Sequence, residues 1–150
     1  MSSSKLMKKI IMSLKEKILV LLLRLTGLAM ASAVVFVFCP LAWMDSIHQM
    51  LGLGPLPNGP IVEYLARTES ALYAYIGALL FFISFDLRRY QLLLRFLAWT
   101  AIPFSIGITL LDVKLGLPSL WTATEGPFTL LLCVILLFLT KIPHQDKKSE

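Results

Sequence analysis

Apolar residues along this chain fall in long unbroken runs, not in the alternating or one-face patterns of a water-soluble fold. Four runs stand out, at residues 18–41, 71–85, 96–111 and 128–139. A helix that is apolar on every face belongs in lipid or in a deep core, and about 20 residues of helix cross roughly 30 Å of hydrocarbon. The pattern predicts an all-α membrane protein, a bundle of four transmembrane helices near 18–41, 62–86, 91–112 and 122–141. A basic tail over 1–17 precedes the 18–141 membrane domain, and a polar tail over 142–150 follows it. Residues 7–23, "MKKIIMSLKEKILVLLL", read as a basic amphipathic start that runs into the first span.

Helix-breaking residues mark the connections. In the first, "CPLAWMDSIHQMLGLGPLPNGPIV" has room for a short amphipathic helix over 41–50, anchored at the interface by Trp43. Its Gly- and Pro-rich second half then turns the chain. The later connection, "LDVKLGLPSLWTATEGP", repeats the order of an Asp, an L-G-L turn with Pro, and a helix entry bearing Glu. Leu51-Gly52-Leu53 and Leu115-Gly116-Leu117 are the matching points, and they raise the idea of two duplicated hairpins. Pro103 lies inside the third run, where a missing N–H should kink the helix, with Ser105 or a neighbour serving the freed carbonyl.

Composition agrees. The chain is 57% hydrophobic and 15% charged over 150 residues, against about 25% charged in soluble domains. Lys and Arg then set the orientation. Lys5, Lys8, Lys9, Lys15 and Lys17 precede the first span, Arg88, Arg89 and Arg95 sit between the second and third, and Lys141, Lys147 and Lys148 follow the fourth. The opposite side carries only Arg67 and Lys114. Both termini are therefore expected in the cytoplasm, in a cell inner (plasma) membrane. The net charge of +5 is a topology signal and does not call for nucleic acid. A cleaved signal peptide ending at Ala31-Ser32-Ala33 is the rival reading, but Arg24 interrupts its apolar region and "VVFVF" continues past the cut.

Helix length singles out one set of charges. The clean runs of helices two and four are shorter than a bilayer, so their outer ends draw Arg67 and Glu125 toward the headgroup boundary. Arg67, Ser70, Ala74, Gly77 and Ala78 share the small-residue face of helix two, with Glu63 one turn above Arg67. Glu69, Tyr73, Ile76 and Leu80 take the opposite, lipid-facing side. Glu125, Thr129 and Cys133 form the polar stripe of helix four, and Asp112, Thr109, Ser105 and Ala98 that of helix three. The candidate site is thus an outer-leaflet cluster of Glu63, Arg67, Asp112 and Glu125, with Arg67 paired to Glu125 in preference to Asp112. Asp86, Arg88 and Arg89 read as ordinary residues of an inner connector.

No CxxC, HExxH, P-loop or GxGxxG occurs, and no cofactor or metal is expected. His48 with Asp45 is too small a set for a metal centre, and His144 lies in a solvated tail. Cys39 and Cys133 fall at different depths and are expected as free thiols. The stretches "YLARTESALY", "DLRRY" and "WTATEGP", covering Tyr64 to Arg67, Ser70 to Tyr73, Asp86, Arg89 and Tyr90, and Trp121 with Glu125 to Pro127, resemble a family of small four-helix bacterial inner-membrane proteins with no known activity. The resemblance implies the same topology and adds no reaction. Three function classes follow: a non-catalytic accessory subunit or apolar-ligand or lipid-binding bundle, a small intramembrane enzyme acting on a lipid-like substrate through Glu125 and Asp112, or an oligomeric transporter. The expected partners are membrane lipids, with a second copy or a membrane-protein subunit as further candidates.

Overall fold

A computed structural model describes residues 3–140, with side chains from residue 14 onward. The expected C-terminal tail, with Lys141, His144, Lys147 and Lys148, and the side chains of Lys5, Lys8 and Lys9 lie outside the described residues, whereas the backbone of the expected basic tail from residue 3 continues into the first helix. Six helices make up the described residues: α1 (Ser3–Ala31), α2 (Val34–Phe38), α3 (Leu41–Met50), α4 (Pro60–Ile83), α5 (Leu87–Leu115) and α6 (Ser119–Leu139). Leu14–Phe38, Leu87–Leu115 and Ser119–Leu139 are each long and apolar enough to cross a membrane. α4 has the length as well, but Glu63, Arg67 and Glu69 in its first ten residues dilute its apolar character. This is a helical membrane protein: most of its large apolar side chains face outward, and only a handful are buried.

The helices pair as two hairpins. α1 and α2 pack along α4, and α5 packs along α6. Sequence explains both seams through small residues. In the first hairpin a Cβ on Gly27 would lie 2.8 Å from the Gly77 carbonyl oxygen, and one on Gly77 would collide with the Ala31 backbone. In the second, a Cβ on Gly126 would collide with Thr109 and come within 2.7 Å of the Ser105 carbonyl oxygen. Backbones this close need residues without side chains. The buried residues of α5 include Ala98, Ser105 and Asp112, and those of α6 are Gly126 and Cys133, followed by buried Thr140. Their seven-residue spacing keeps one narrow stripe of each helix facing its partner. The stripes expected on helices three and four, and the small face of helix two, are therefore seams within hairpins.

Between the hairpins the contacts are few. They meet at the turn end, the end carrying the 84–86 connection, where Leu19, Leu23, Ile83 and Leu94 form an apolar cluster joined by Leu80, Leu97 and Leu136. They meet again at the loop end, where Gly52 lies against Pro118 (a Cβ there would be 3.6 Å from the proline ring). Leu80 thus packs in the core, and the face of α4 assigned to lipid from the sequence turns in part toward the second hairpin.

Local chemistry ends each element. The short helix expected over 41–50 is α3, and Trp43, Ile47 and Met50 are its exposed apolar residues. Gly52 and Gly116, at the two matched L-G-L points, both adopt a left-handed conformation (φ 79° and 68°). At each, the following amide closes back on the helix: Leu53 N–H on His48 O, and Leu117 N–H on Asp112 O. α5 passes through Pro103 as one helix. Ser105 Oγ donates to Ala101 O at 2.7 Å, so it serves a carbonyl other than the Trp99 one that the proline frees. The Ala31-Ser32-Ala33 triplet falls at the break between α1 and α2. Cutting there would remove the helix against which Gly77 packs.

Candidate functional site

At the loop end, α4 starts at Pro60, whose missing N–H costs nothing at a first helical position. One turn later, Glu63 and Arg67 sit on the face turned to α2 and form an ion pair, 2.8 Å between Arg67 Nη2 and Glu63 Oε1, with Nε donating to the same oxygen at 2.9 Å. Arg67 Nη1 donates to Val37 O at 2.6 Å and Cys39 O at 3.1 Å. Those carbonyls end α2, where a helix leaves acceptors without amide partners and concentrates negative partial charge. Pro40 then supplies no N–H to continue the ladder. The guanidinium fork fills the gap. Arg67 is a clasp binding the end of α2 to the start of α4, and its carboxylate partner is Glu63. The expected pair with Glu125 does not form, because α4 presents this face to its own hairpin partner and not to α6.

The second hairpin uses the same device at the turn end. Gln91 Nε2 and Arg95 Nη1 on α5 donate to Thr140 O, at 2.9 and 3.3 Å, where α6 ends.

Glu125 lies instead within electrostatic reach of Asp112 and Glu69. Tyr73 on α4 lies within electrostatic reach of the same three carboxylates. Asp112 is buried, at 4% exposure, and its Oδ2 has no hydrogen-bond partner among the described residues. The four predicted residues thus divide into two groups. Glu63 and Arg67 lock the first hairpin, whereas Asp112 and Glu125 stand on the second, within electrostatic reach of Glu69 and Tyr73. Glu69 and Tyr73 are exposed, as the lipid-facing side expected for them requires.

Asp45 and His48 are occupied within the loop: Asp45 accepts from the Leu56 amide at 2.7 Å and from Gln49 Nε2 at 2.8 Å, and His48 Nδ1 bonds Gly54 O at 2.8 Å. A shallow depression beside α3 is lined by Leu41, Ala42, Asp45, Pro55, Leu56 and Asn58. No group of three or more His, Cys, Asp and Glu among the described residues is placed to hold a metal ion. Both cysteines are buried and free.

At the turn end, Asp86 caps α5 by accepting from the Arg89 amide at 3.2 Å, Arg88 reaches Glu16 at 3.5 Å, and the Arg89 guanidinium lies over the Tyr90 ring. Arg24, which interrupts the apolar run of the first span, donates from Nε to Ser84 Oγ at 3.3 Å and lies over the Phe85 ring. No protein-family model, no curated protein and no solved structure matches this chain.

Proposed function

We propose that the protein crosses an inner (plasma) membrane four times, with α4 as the fourth crossing and both termini in the cytoplasm. In that setting it acts as a non-catalytic binding subunit. Its partner is an apolar ligand, a lipid or a helix of another membrane protein, received between the two hairpins. The observation that carries this reading is the contrast between tight seams inside each hairpin and sparse contact between them. Helices that already pack closely within a pair have spent their small-residue faces, so what remains open between pairs is apolar surface suited to lipid or another helix. Glu69, Tyr73 and Glu125 lie near that gap at the loop end and would give it polar selectivity. The orientation rests on the excess of Lys and Arg at the turn end.

The enzyme reading needs Asp112 and Glu125 to reach one substrate together, and Asp112 Oδ2 is enclosed by protein. It gains less support. Extraction of the chain from its native membrane into polymer-bounded discs, followed by native mass spectrometry, tests the binding role. A stoichiometric lipid or polypeptide should remain bound after detergent exchange. A bare chain carrying lipids only in bulk proportion would count against it.

A further inference from the structure

The turn end carries an arginine whose surroundings are built for an anion. Arg24 lies in the apolar run of α1, and its level is fixed by its contacts: Ser84, the residue that ends α4, and the Phe85 ring beside it. α4 has 24 residues, about 36 Å of helix, which exceeds the roughly 30 Å hydrocarbon thickness. Ser84 therefore falls at the boundary between hydrocarbon and headgroups, and Arg24 falls there with it.

The side chain is already held at two points: Nε donates to Ser84 Oγ, and the guanidinium carbon lies over the Phe85 ring, 5.5 Å from its centroid. Ser84 is itself fixed, since its Oγ donates to Phe81 O at 2.6 Å. The four N–H groups of the two terminal nitrogens find no hydrogen bond and no carboxylate among the described residues. On the same helical face, Leu21, Leu25 and Leu28 are exposed, and Lys17 is exposed two turns below. A pre-set cationic fork thus stands at headgroup level above an open apolar strip. Arginine forks match phosphate geometry and hold it by paired, charge-assisted hydrogen bonds.

The geometry points to Arg24 as the seat of one anionic phospholipid of the cytoplasmic leaflet, its phosphate on the terminal nitrogens and an acyl chain along Leu25 and Leu28, which follow Arg24 into the hydrocarbon. Lys17 adds charge to the same headgroup zone. Arg88 and Arg89 are already engaged with Glu16 and Tyr90, so they contribute general attraction and do not grip the lipid. The inference rests on the transmembrane placement but not on what binds between the hairpins.

The test is native mass spectrometry of the full chain with phosphatidylglycerol or phosphatidylcholine of matched acyl chains. The native chain should retain one phosphatidylglycerol in preference to phosphatidylcholine, by about fivefold or more. Arg24→Gln should bring the ratio close to one. Arg24→Lys, with a point charge and no fork, should fall between. Ser84→Ala, which frees Nε without touching the charge, should weaken retention while leaving the helical circular dichroism intact, so a folding failure in the Gln variant would not blur the answer. Arg88→Gln with Arg89→Gln should lower binding in a salt-dependent way and keep the selectivity. Equal retention of the two lipids by the native chain would overturn the proposal, as would unchanged selectivity in Arg24→Gln. So would displacement of the lipid by inorganic phosphate at millimolar concentration, because the acyl strip would then contribute nothing.

Discussion

Replacing Arg67 with alanine removes an ion pair and two hydrogen bonds to backbone carbonyls at a helix end. These parts differ in weight. The pair with Glu63 is four residues apart on one helix, with side chains 27% and 43% exposed, and such pairs contribute about 0.3–0.5 kcal/mol. Hydrogen bonds from a charged donor contribute about 1.5–3 kcal/mol each. Val37 and Cys39 share a single Nη1, so their two bonds together count for about 2–2.5 kcal/mol, less than two separate ones. The total loss should be about 2–3 kcal/mol, or a fall of roughly 5–10 °C in the unfolding temperature of a chain of this size. Thermal unfolding in detergent, followed by circular dichroism, measures it. Arg67→Lys should lose most of this amount, since one ammonium cannot serve both carbonyls and Glu63 together. Glu63→Ala should cost less than 1 kcal/mol. The decisive comparison is the pair of double mutants. Arg67→Ala with Glu63→Ala should couple weakly, and Arg67→Ala with Glu125→Ala should be additive within about 0.5 kcal/mol. Coupling above about 1 kcal/mol between Arg67 and Glu125 would refute the reasoning, because it would restore the inter-hairpin ion pair.

Gly77→Val should separate α1 from α4, and Gly126→Leu should separate α5 from α6, because the new side chains meet backbone atoms. Each should cost at least about 1–3 kcal/mol, and thermal stability equal to the native chain would contradict the seams. Asp112→Asn should leave stability unchanged or raise it, since it removes a charge from a buried carboxyl whose Oδ2 has no partner; a marked loss would show that Asp112 has a partner to hold. Thiol counting under denaturing, non-reducing conditions should find two free groups per chain, and finding none would rule out the depths given to Cys39 and Cys133.

Much of the helical framework is legible in the run lengths. α3 follows from its amphipathic pattern, and the ends of α3 and α5 follow from glycines that alone adopt the left-handed turn without strain. Spacing alone picks out Gly77, Ser105 and Cys133 on the faces that pack, whereas Gly126, the closest approach in the second hairpin, falls beside the Glu125 stripe and is found only in the structure. What spacing cannot supply is the neighbour each face meets. Arg67 sits on the correct face, but its partner depends on α2 ending at Phe38 with open carbonyls, a consequence of Pro40 that apolar content conceals. Leu80 shows the same limit: helical phase gives direction, and only the packing of hairpins says what lies in that direction. Arg24 looks like an interruption of a span until its contact with Ser84 fixes its depth.

The account stands or falls on α4 crossing the membrane, since the clasp at Arg67, the level of Arg24 and the gap between hairpins all take their meaning from it. Single cysteines introduced by Asn58→Cys and Arg88→Cys, in a chain with Cys39 and Cys133 replaced by serine, mark the two ends of that helix. In intact cells a membrane-impermeant maleimide should label the cysteine at position 58 and leave the one at 88 unlabelled until the membrane is opened. Equal labelling of both positions before the membrane is opened would place the two ends of α4 on one side and contradict the four-crossing protein.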